Sequence, residues 1–331
     1  MSPSDHRNTL RGSPVVVAPG KVFIMGEYAV LDGAPAVVAA VSRFAVGQFI
    51  AGGAGESPFV EEAVRVTLEG LGERAAALPA GSVWVDSAGF SAEGRKLGLG
   101  SSAAVTAATV GAMLEMAGLP IASNRDFCFT LAENAHRVAQ GGIGSGADVA
   151  AAVHGGLLQF RRPPGGYPIT ERLQQPADLR IVIFSEGQSA STPDLVRGVK
   201  AFAERNPSGY ASALRPLREQ AELFAEAFAE GKIAALLDSA RIFGTALGEL
   251  GMRSGVPIVT TRFEIAANLA INLGGVAKPS GAGGGDIGVG LFGDEGAART
   301  FASRVEQLGL RVLDAPIETK GVHRRQPSAS L

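Results

Sequence analysis

The sequence predicts two α+β domains lying side by side. Three observations carry this. At 331 residues the chain is long for one core, and two domains fit the length better. Strand-like and helix-like stretches are mixed along the whole chain, with no internal repeat. RRPPGGYP at 161–168 is the best linker candidate, which places one domain at residues 1–165 and the other at 166–331.

Residues 1–13 read as a loose arm. VVVAPGKVFIMGEYAVL (15–31) reads as strand, turn, strand, and the β-branched run 36–51 as a long strand. A loop at 51–58 precedes a helix near 59–75, and SVWVDS (82–87) reads as a strand. Residues 101–117 form a buried helix, because Ala, Val, Met and Leu cover nearly every face. Ser123 or Asn124 can cap the next helix, whose Phe127, Leu131, Ala135 and Val138 share one face. GGIGSGADVAAAV (141–153) is a Gly-rich entry to a short helix, and GGLLQF (155–160) returns as a strand.

The second half opens with a buried strand and a Ser/Thr loop, LRIVIFSEGQSAST (179–192). Helices follow near 193–205, 208–230, 232–250 and 260–273. KPSGAGGGD (278–286) reads as a loop and IGVGLF as a strand. A helix near 296–307 and a strand near 310–314 complete the fold.

Composition excludes several classes. Basic residues form no runs and the net charge is −2, so nothing marks a nucleic-acid binder. The single cysteine, Cys128, excludes an intramolecular disulfide and a cysteine-based metal site. No long apolar run predicts a membrane span, and the polar N-terminus lacks a signal peptide's apolar segment, so a cytoplasmic protein is expected. Of 30 basic residues only six are lysines, and three of these (Lys21, Lys96 and Lys278) lie in or beside Gly-containing stretches.

Four stretches can carry chemistry. In KLGLGSSAA (96–104), Gly98 and Gly100 let the backbone approach a ligand, and a helix N-terminus offers unpaired N–H groups to an anion. Ser101 and Ser102 can cap that helix, bond phosphate oxygens or ligate hydrated Mg²⁺. The stretch fits neither a Walker A loop nor a dinucleotide fingerprint. Lys21 sits at a Pro-Gly turn, and Glu27 between Gly26 and Tyr28 suits a strand only if it faces a polar cleft. Asp148 falls in the first turn of a short helix, where a carboxylate is favourable and simple capping also explains it. KPSGAGGGD places four glycines in nine residues, a cost that points to a backbone that binds or bends sharply.

Together these stretches resemble the GHMP kinase superfamily over roughly residues 14–315. The matching motifs are Pro19-Gly20-Lys21 with Gly26-Glu27-Tyr28, then Gly98-Leu99-Gly100-Ser101-Ser102-Ala103-Ala104, then Ser280 through Asp286. GEYAVL (26–31), GSGADVAA (144–151), SASTPDLV (189–196) and GAGGGD (281–286) are most similar to the phosphomevalonate branch, with the mevalonate branch second. A non-catalytic member of the fold and a related decarboxylase rank lower, because Lys21 and Asp148 are both present and no decarboxylase-type substrate loop is seen.

The resemblance implies an N-terminal, ATP-binding domain of ribosomal-protein-S5-like fold and a ferredoxin-like C-terminal domain, with the active site between them. It implies ATP and Mg²⁺ as cofactors and phosphomevalonate or mevalonate as the small-molecule acceptor, in a monomer or homodimer. Lys21 and Asp148 take the catalytic positions. Lys96, Gly98, Leu99, Gly100, Ser101, Ser102 and Ala103 hold the triphosphate, with Ser101 or Ser102 near the metal. Lys21, Ser145, Gly146, Ser189, Ser191, Thr192, Lys278, Ser280, Gly281, Ala282 and Gly283 bind substrate. Mevalonate kinases carry a metal-binding glutamate on the helix before the Asp148 motif. Here the nearest positions hold His136 and Arg137, with Glu133 a turn earlier.

Overall fold

The computed structural model describes residues 12–52, 57–187 and 191–326. In its first half run β1 (Val15–Met25), a 3-10 turn at Ala29–Asp32, β2 (Ala36–Ala51), α1 (Pro58–Leu71) and β3 (Gly81–Asp86). A short hairpin, β4 (Ser91–Ala92) and β5 (Arg95–Lys96), leads to α2 (Ser101–Met116), α3 (Arg125–Ala139), α4 (Ala147–His154), β6 (Leu157–Arg161) and β7 (Ile169–Leu173). The second half holds β8 (Arg180–Ser185), α5 (Thr192–Arg205), α6 (Pro207–Ala229), α7 (Ile233–Ser254) and α8 (Thr261–Asn272). It ends with β9 (Val276–Ser280), β10 (Ile287–Phe292), α9 (Glu295–Gln307), β11 (Arg311–Val312) and β12 (His323–Arg324).

Two sheets organise these elements. The first has the order β12-β1-β2-β6-β7, with β3 also on β2, and the second the order β11-β8-β10-β9. β2 is long enough to serve two partners: Ala36–Ala39 pair with β6 and Val46–Ala51 with β3. α2 packs across β1 and β2 and is buried on nearly every face, as its composition predicts. The second domain packs the α6–α7 hairpin and α8 beside its sheet.

The expected strand-turn-strand over 15–31 is instead one strand that runs through Pro19-Gly20. The register slips there, from Pro19 opposite Phe44 to Gly20 opposite Val41. β12 pairs only with Val16 and Val17, so the missing N–H of Pro19 breaks no ladder on that edge. The expected division at residue 165/166 also differs from the sheet pairing. β7 pairs with β6, Ile317 bridges to Val41 and β12 returns to β1, so the chain's last segment joins the first sheet. Backbone pairing, not a hydrophobic pattern, places β7 and β12.

Three contacts near the third glycine stretch stitch the second domain to the first. Ser280 Oγ accepts a hydrogen bond from Phe23 N (2.9 Å), and Tyr28 Oη donates to Ala282 O (2.7 Å). Lys278 reaches Glu27. Tyr210 on α6 adds a bond to Asp32 (3.0 Å). No described helix is long and apolar enough to cross a membrane.

Candidate active site

The glycine-rich turns meet in space. Lys21 N donates to Leu99 O (2.8 Å), which joins β1 to the 96–103 stretch. Gly98 and Gly100 both have positive φ, 68° and 77°. Their lack of a side chain has a spatial reason too. A Cβ on Gly100 would lie 2.7 Å from Lys21 Cγ, and one on Gly98 would lie 2.1 Å from Asp286 Oδ1. Lys21 therefore lies over Gly100, and the Asp286 carboxylate lies against Gly98. Lys21 Nζ also comes within 3.8 Å of the point where a Cβ on Gly281 would stand. One residue from the first motif thus touches both of the others.

Around this junction lies a cavity of about 770 Å³ between the domains. The 96–103 stretch supplies Lys96, Gly98, Gly100, Ser101 and Ser102. The α4 entry supplies Ser145 and Asp148, and the second domain supplies Ser191, Thr192, Ser280, Gly281, Ala282 and Gly283. Leu99 and Ala103 are buried behind the wall and contribute backbone. Gly146 caps α4 without lining the cavity. Ser189 lies outside the described residues.

Two helices point their N-termini at this space, and the cap residue of each is a glycine without a side chain, although at α4 Ser145 Oγ accepts from Ala147 N (3.2 Å). α2 starts from Gly100 rather than from Ser101 or Ser102, and α4 starts from Gly146, both in the left-handed conformation. Ser101 and Ser102 are therefore first-turn residues whose hydroxyls remain free of the capping role. Uncapped first-turn N–H groups with a positive dipole end suit anionic oxygens. Asp148 Oδ1 accepts from Val149 N (2.9 Å).

His136, on α3, joins the two helix ends. Its Nε2 lies 3.1 Å from Ser102 Oγ and 3.8 Å from Asp148 Oδ2. The ring is buried and stacks on Phe59 at 5.3 Å. Glu133 turns elsewhere: it pairs with Arg162 at 2.8 Å and approaches Arg137 at 3.7 Å. Arg162 in turn donates to Ser145 O (3.1 Å). Glu133 thus braces the α4 entry from behind.

Lys278 is not among the lining groups. Its side chain is wholly buried and its Nζ bonds Glu27 Oε1 at 2.5 Å and Pro279 O at 3.0 Å. Burial pushes the Lys278 ammonium below its ordinary range, and Glu27 opposes that shift. The expectation that it closes the site over substrate gives way to a structural pair between β9 and the first motif. Ser280 lines the cavity, but its Oγ is engaged with Phe23 N.

Asp286 belongs to the third motif but not to the site residues expected from the sequence, yet it lines the cavity. It ends the third motif, and its partial burial raises the carboxyl to about 6 against the pull of Lys21 and Lys96. Burial, with the neighbouring Glu27, also raises the Tyr28 hydroxyl well above the usual range. Among the described residues the cations lining the cavity are Lys21, Lys96 and Arg197, the last paired with Asp194.

The oxygen donors nearest the two helix ends are the Ser101 and Ser102 hydroxyls and the Asp148 carboxylate, and Asp286, Ser145, Ser191 and Thr192 also line the cavity. Among the described residues no cluster of three or more His, Cys, Asp or Glu could hold a metal by itself. That sparse, hard donor set fits Mg²⁺, which keeps several waters and leans on substrate phosphates.

Comparison with known proteins agrees with this geometry. The chain matches the model for the GHMP kinases N terminal domain over residues 83–156 and that for GHMP kinases C terminal over residues 224–309. A phosphomevalonate kinase of Streptomyces sp. (strain CL190) is 28% identical over 338 residues, covering 84% of this chain and 89% of that one. The crystal structure of a Lin0012 protein from Listeria innocua superposes with a TM-score of 0.84 at 25% identity, covering 95% of this chain and all of that one. Streptococcus pneumoniae phosphomevalonate kinase, in complex with phosphomevalonate and AMPPNP, superposes with a TM-score of 0.79 at 21% identity, covering 92% and 99%. With both domain models matched in order and the motif residues gathered at one cavity, the chain belongs to the GHMP kinase family.

Proposed function

We propose that this chain is a phosphomevalonate kinase, transferring the γ-phosphoryl group of ATP to the phosphate of 5-phosphomevalonate. The observation that carries the reading is Lys21, which lies over Gly100 and reaches toward Gly281 inside a cavity shared with Asp148.

Phosphoryl transfer is mainly a matter of positioning and charge stabilisation. The first-turn backbone N–H groups of α2 hold phosphate oxygens, and α4 adds its positive dipole end and the N–H that Ser145 and Asp148 leave free. Ser101 and Ser102 add hydroxyls at the first of these ends. The acceptor is a phosphomonoester whose second pKa is about 6, so at neutral pH its attacking oxygen carries no proton that must be removed. Asp148 therefore acts by orienting its neighbours rather than as a general base. Lys21 offsets the repulsion between acceptor and donor phosphates.

Phosphomevalonate brings a carboxylate as well as a phosphate. With Lys278 withdrawn into its pair, that charge falls to Lys21, Lys96 and Arg197. Ser191 and Thr192, at the start of α5, stand where they can contact the acceptor. Ser102 and Asp148 are the residues that would hold Mg²⁺, which when bound neutralises charge on the phosphates. The domains divide, in this reading, after β7, with the C-terminal segment returning to the ATP-binding half.

The test is ADP release with mevalonate, phosphomevalonate and diphosphomevalonate, alongside a measurement of free phosphate. Phosphomevalonate-dependent ADP release without free phosphate is the expected result. Turnover with mevalonate alone, or release of phosphate with diphosphomevalonate, overturns the assignment of the acceptor.

A further inference from the structure

We propose that the chain carries a second anion site, remote from the phosphoryl-transfer cavity, which binds a compact multivalent anion of the diphosphate or triphosphate class. It is a cavity of about 710 Å³ bounded by the start of α3, the end of α4, β1 and the C-terminal segment 318–326. Arg125, Arg172, Lys320, Arg324 and Arg325 line it, against one lining carboxylate, Glu318.

The charges there are satisfied in geometry but not in sign. Arg125 donates to the carbonyls of Val153 and Val322, and Arg172 donates to the carbonyl of His154. Among the described residues, no carboxylate lies within ion-pair distance of Arg125, Arg172, Lys320 or Arg325, and Arg324 meets Glu115 only at 3.9 Å. His154 lines the same cavity, and its Nε2 is buried with no hydrogen-bond partner among the described residues. Burial first, and Arg125 and Arg172 after it, hold His154 to about 4 against the opposing Asp126. A neutral imidazole donates through one ring nitrogen only, so the Nε2–H tautomer of His154 would supply a donor to an anionic oxygen beside these guanidinium groups.

The wall is also rigid. Gly156 N donates to Glu318 O (2.8 Å), Glu318 N to Ala40 O (2.9 Å) and Val322 N to Ala152 O (2.8 Å). A Cβ on Gly321 would stand 2.0 Å from Val153 O, so the C-terminal segment lies directly on the end of α4. The backbone that carries the cations is thus fixed before any ligand arrives, which lowers the cost of binding. Like charges converging on a fixed concave surface leave an electrostatic deficit that a multivalent anion fills and a monovalent one does not. The volume is that of a small-molecule site, and the chain's net charge of −2 disfavours an extended polyanion.

This cavity is separate from the first, because no residue lines both. α3 carries Arg125 at one and Ala139 at the other, about 21 Å apart along the helix. The inference therefore stands or falls independently of the proposed kinase reaction.

The experiment is calorimetric titration of metal-free tripolyphosphate into the full chain at low salt. Wild type is compared with Lys21→Met and with Arg172→Gln/Lys320→Gln/Arg325→Gln, whose three altered side chains are all exposed. Two classes of binding are expected in wild type. Lys21→Met should lose only the class at the first cavity. The triple variant should weaken only the other class, tenfold or more, while keeping the wild-type melting temperature. Arg172→Lys should bind nearly as wild type. Tripolyphosphate binding that is unchanged in the triple variant, or abolished altogether by Lys21→Met, overturns the second site.

Discussion

The Lys278 ammonium and the Glu27 carboxylate meet at 2.5 Å with both side chains wholly buried, at the joint between the two domains. Lys278 Nζ also bonds the Pro279 carbonyl and lies 5.6 Å from the Phe243 ring, whereas Glu27 Oε2 has no partner among the described residues. Breaking such a pair leaves one charge buried and uncompensated, at a cost of about 3–5 kcal/mol. Lys278→Met and Glu27→Leu are each expected to lose that much stability in denaturant unfolding. The double variant should recover most of it, because neither charge then remains. Equal and additive losses in the two single variants would show that the pair is not coupled.

Asp286 predicts a pH dependence. Its folded pKa is raised from 3.8 to about 6, chiefly by burial. Between those values the folded state holds a proton that the unfolded state has released. The associated stability is fully present below about pH 4 and is lost as pH rises through about 6, a change of about 3 kcal/mol. Asp286→Asn should remove this slope. Its stability relative to wild type is expected to improve between about pH 4 and pH 8 by that amount. Parallel stability curves for the two proteins across the window would contradict it.

The same residues show how much was legible in the sequence. The motifs at 19–28, 98–104 and 280–286 could be read because their glycines answer local demands: positive φ, and close approach by Lys21 and Asp286. The buried helix α2 could be read because its whole surface is apolar. Lys278 could not, since every residue of β9 is buried and only its partner Glu27, 251 positions away, explains a charge there. β12 is two residues long and held by backbone bonds to β1, so no alternation announces it. His136 reads as a flank residue of an amphipathic helix until Ser102 and Asp148 are seen beside it.

In the proposed reaction Lys21 is the cation that meets the transferred group, and its removal should act on the chemical step. Lys21→Met is expected to lower kcat by roughly 10²–10³-fold, about 3–4 kcal/mol, as for loss of a preorganised charge-stabilising group. Its aliphatic stem still covers Gly100, so stability should change little. Steady-state kinetics with phosphomevalonate, together with a melting curve, check both parts. A variant with near-normal kcat would remove Lys21 from the mechanism.

Asp148 separates orientation from proton removal. A phosphate acceptor is already ionised well above about pH 6, so no base is required there. Asp148→Asn is therefore expected to lower kcat by one factor throughout about pH 7–9, without adding a pH-dependent limb. The measurement is kcat against pH for the variant and wild type with phosphomevalonate. A deficit that shrinks steadily as pH rises would mean that hydroxide replaces a missing base, and Asp148 would then be that base.

His136 tests whether the spacing between the two helix ends matters. Its Nε2 holds Ser102 Oγ at 3.1 Å while facing Asp148 Oδ2 at 3.8 Å, and Phe59 fixes the ring. The ring is buried and does not line the cavity, so in the proposed reaction its contribution is the placement of Ser102 and Asp148, which do. His136→Ala frees the Ser102 hydroxyl and opens space between α2 and α4. Positioning errors of this kind reduce kcat by about 10²-fold even when binding is kept. KM for phosphomevalonate should stay within a few-fold, because the proposed acceptor contacts at Ser191 and Thr192 lie on another element. His136→Gln can restore a hydrogen-bonding group near Ser102 and should recover part of the lost kcat. Loss of kcat in proportion to loss of folded protein, with no recovery in His136→Gln, would reduce His136 to a packing residue.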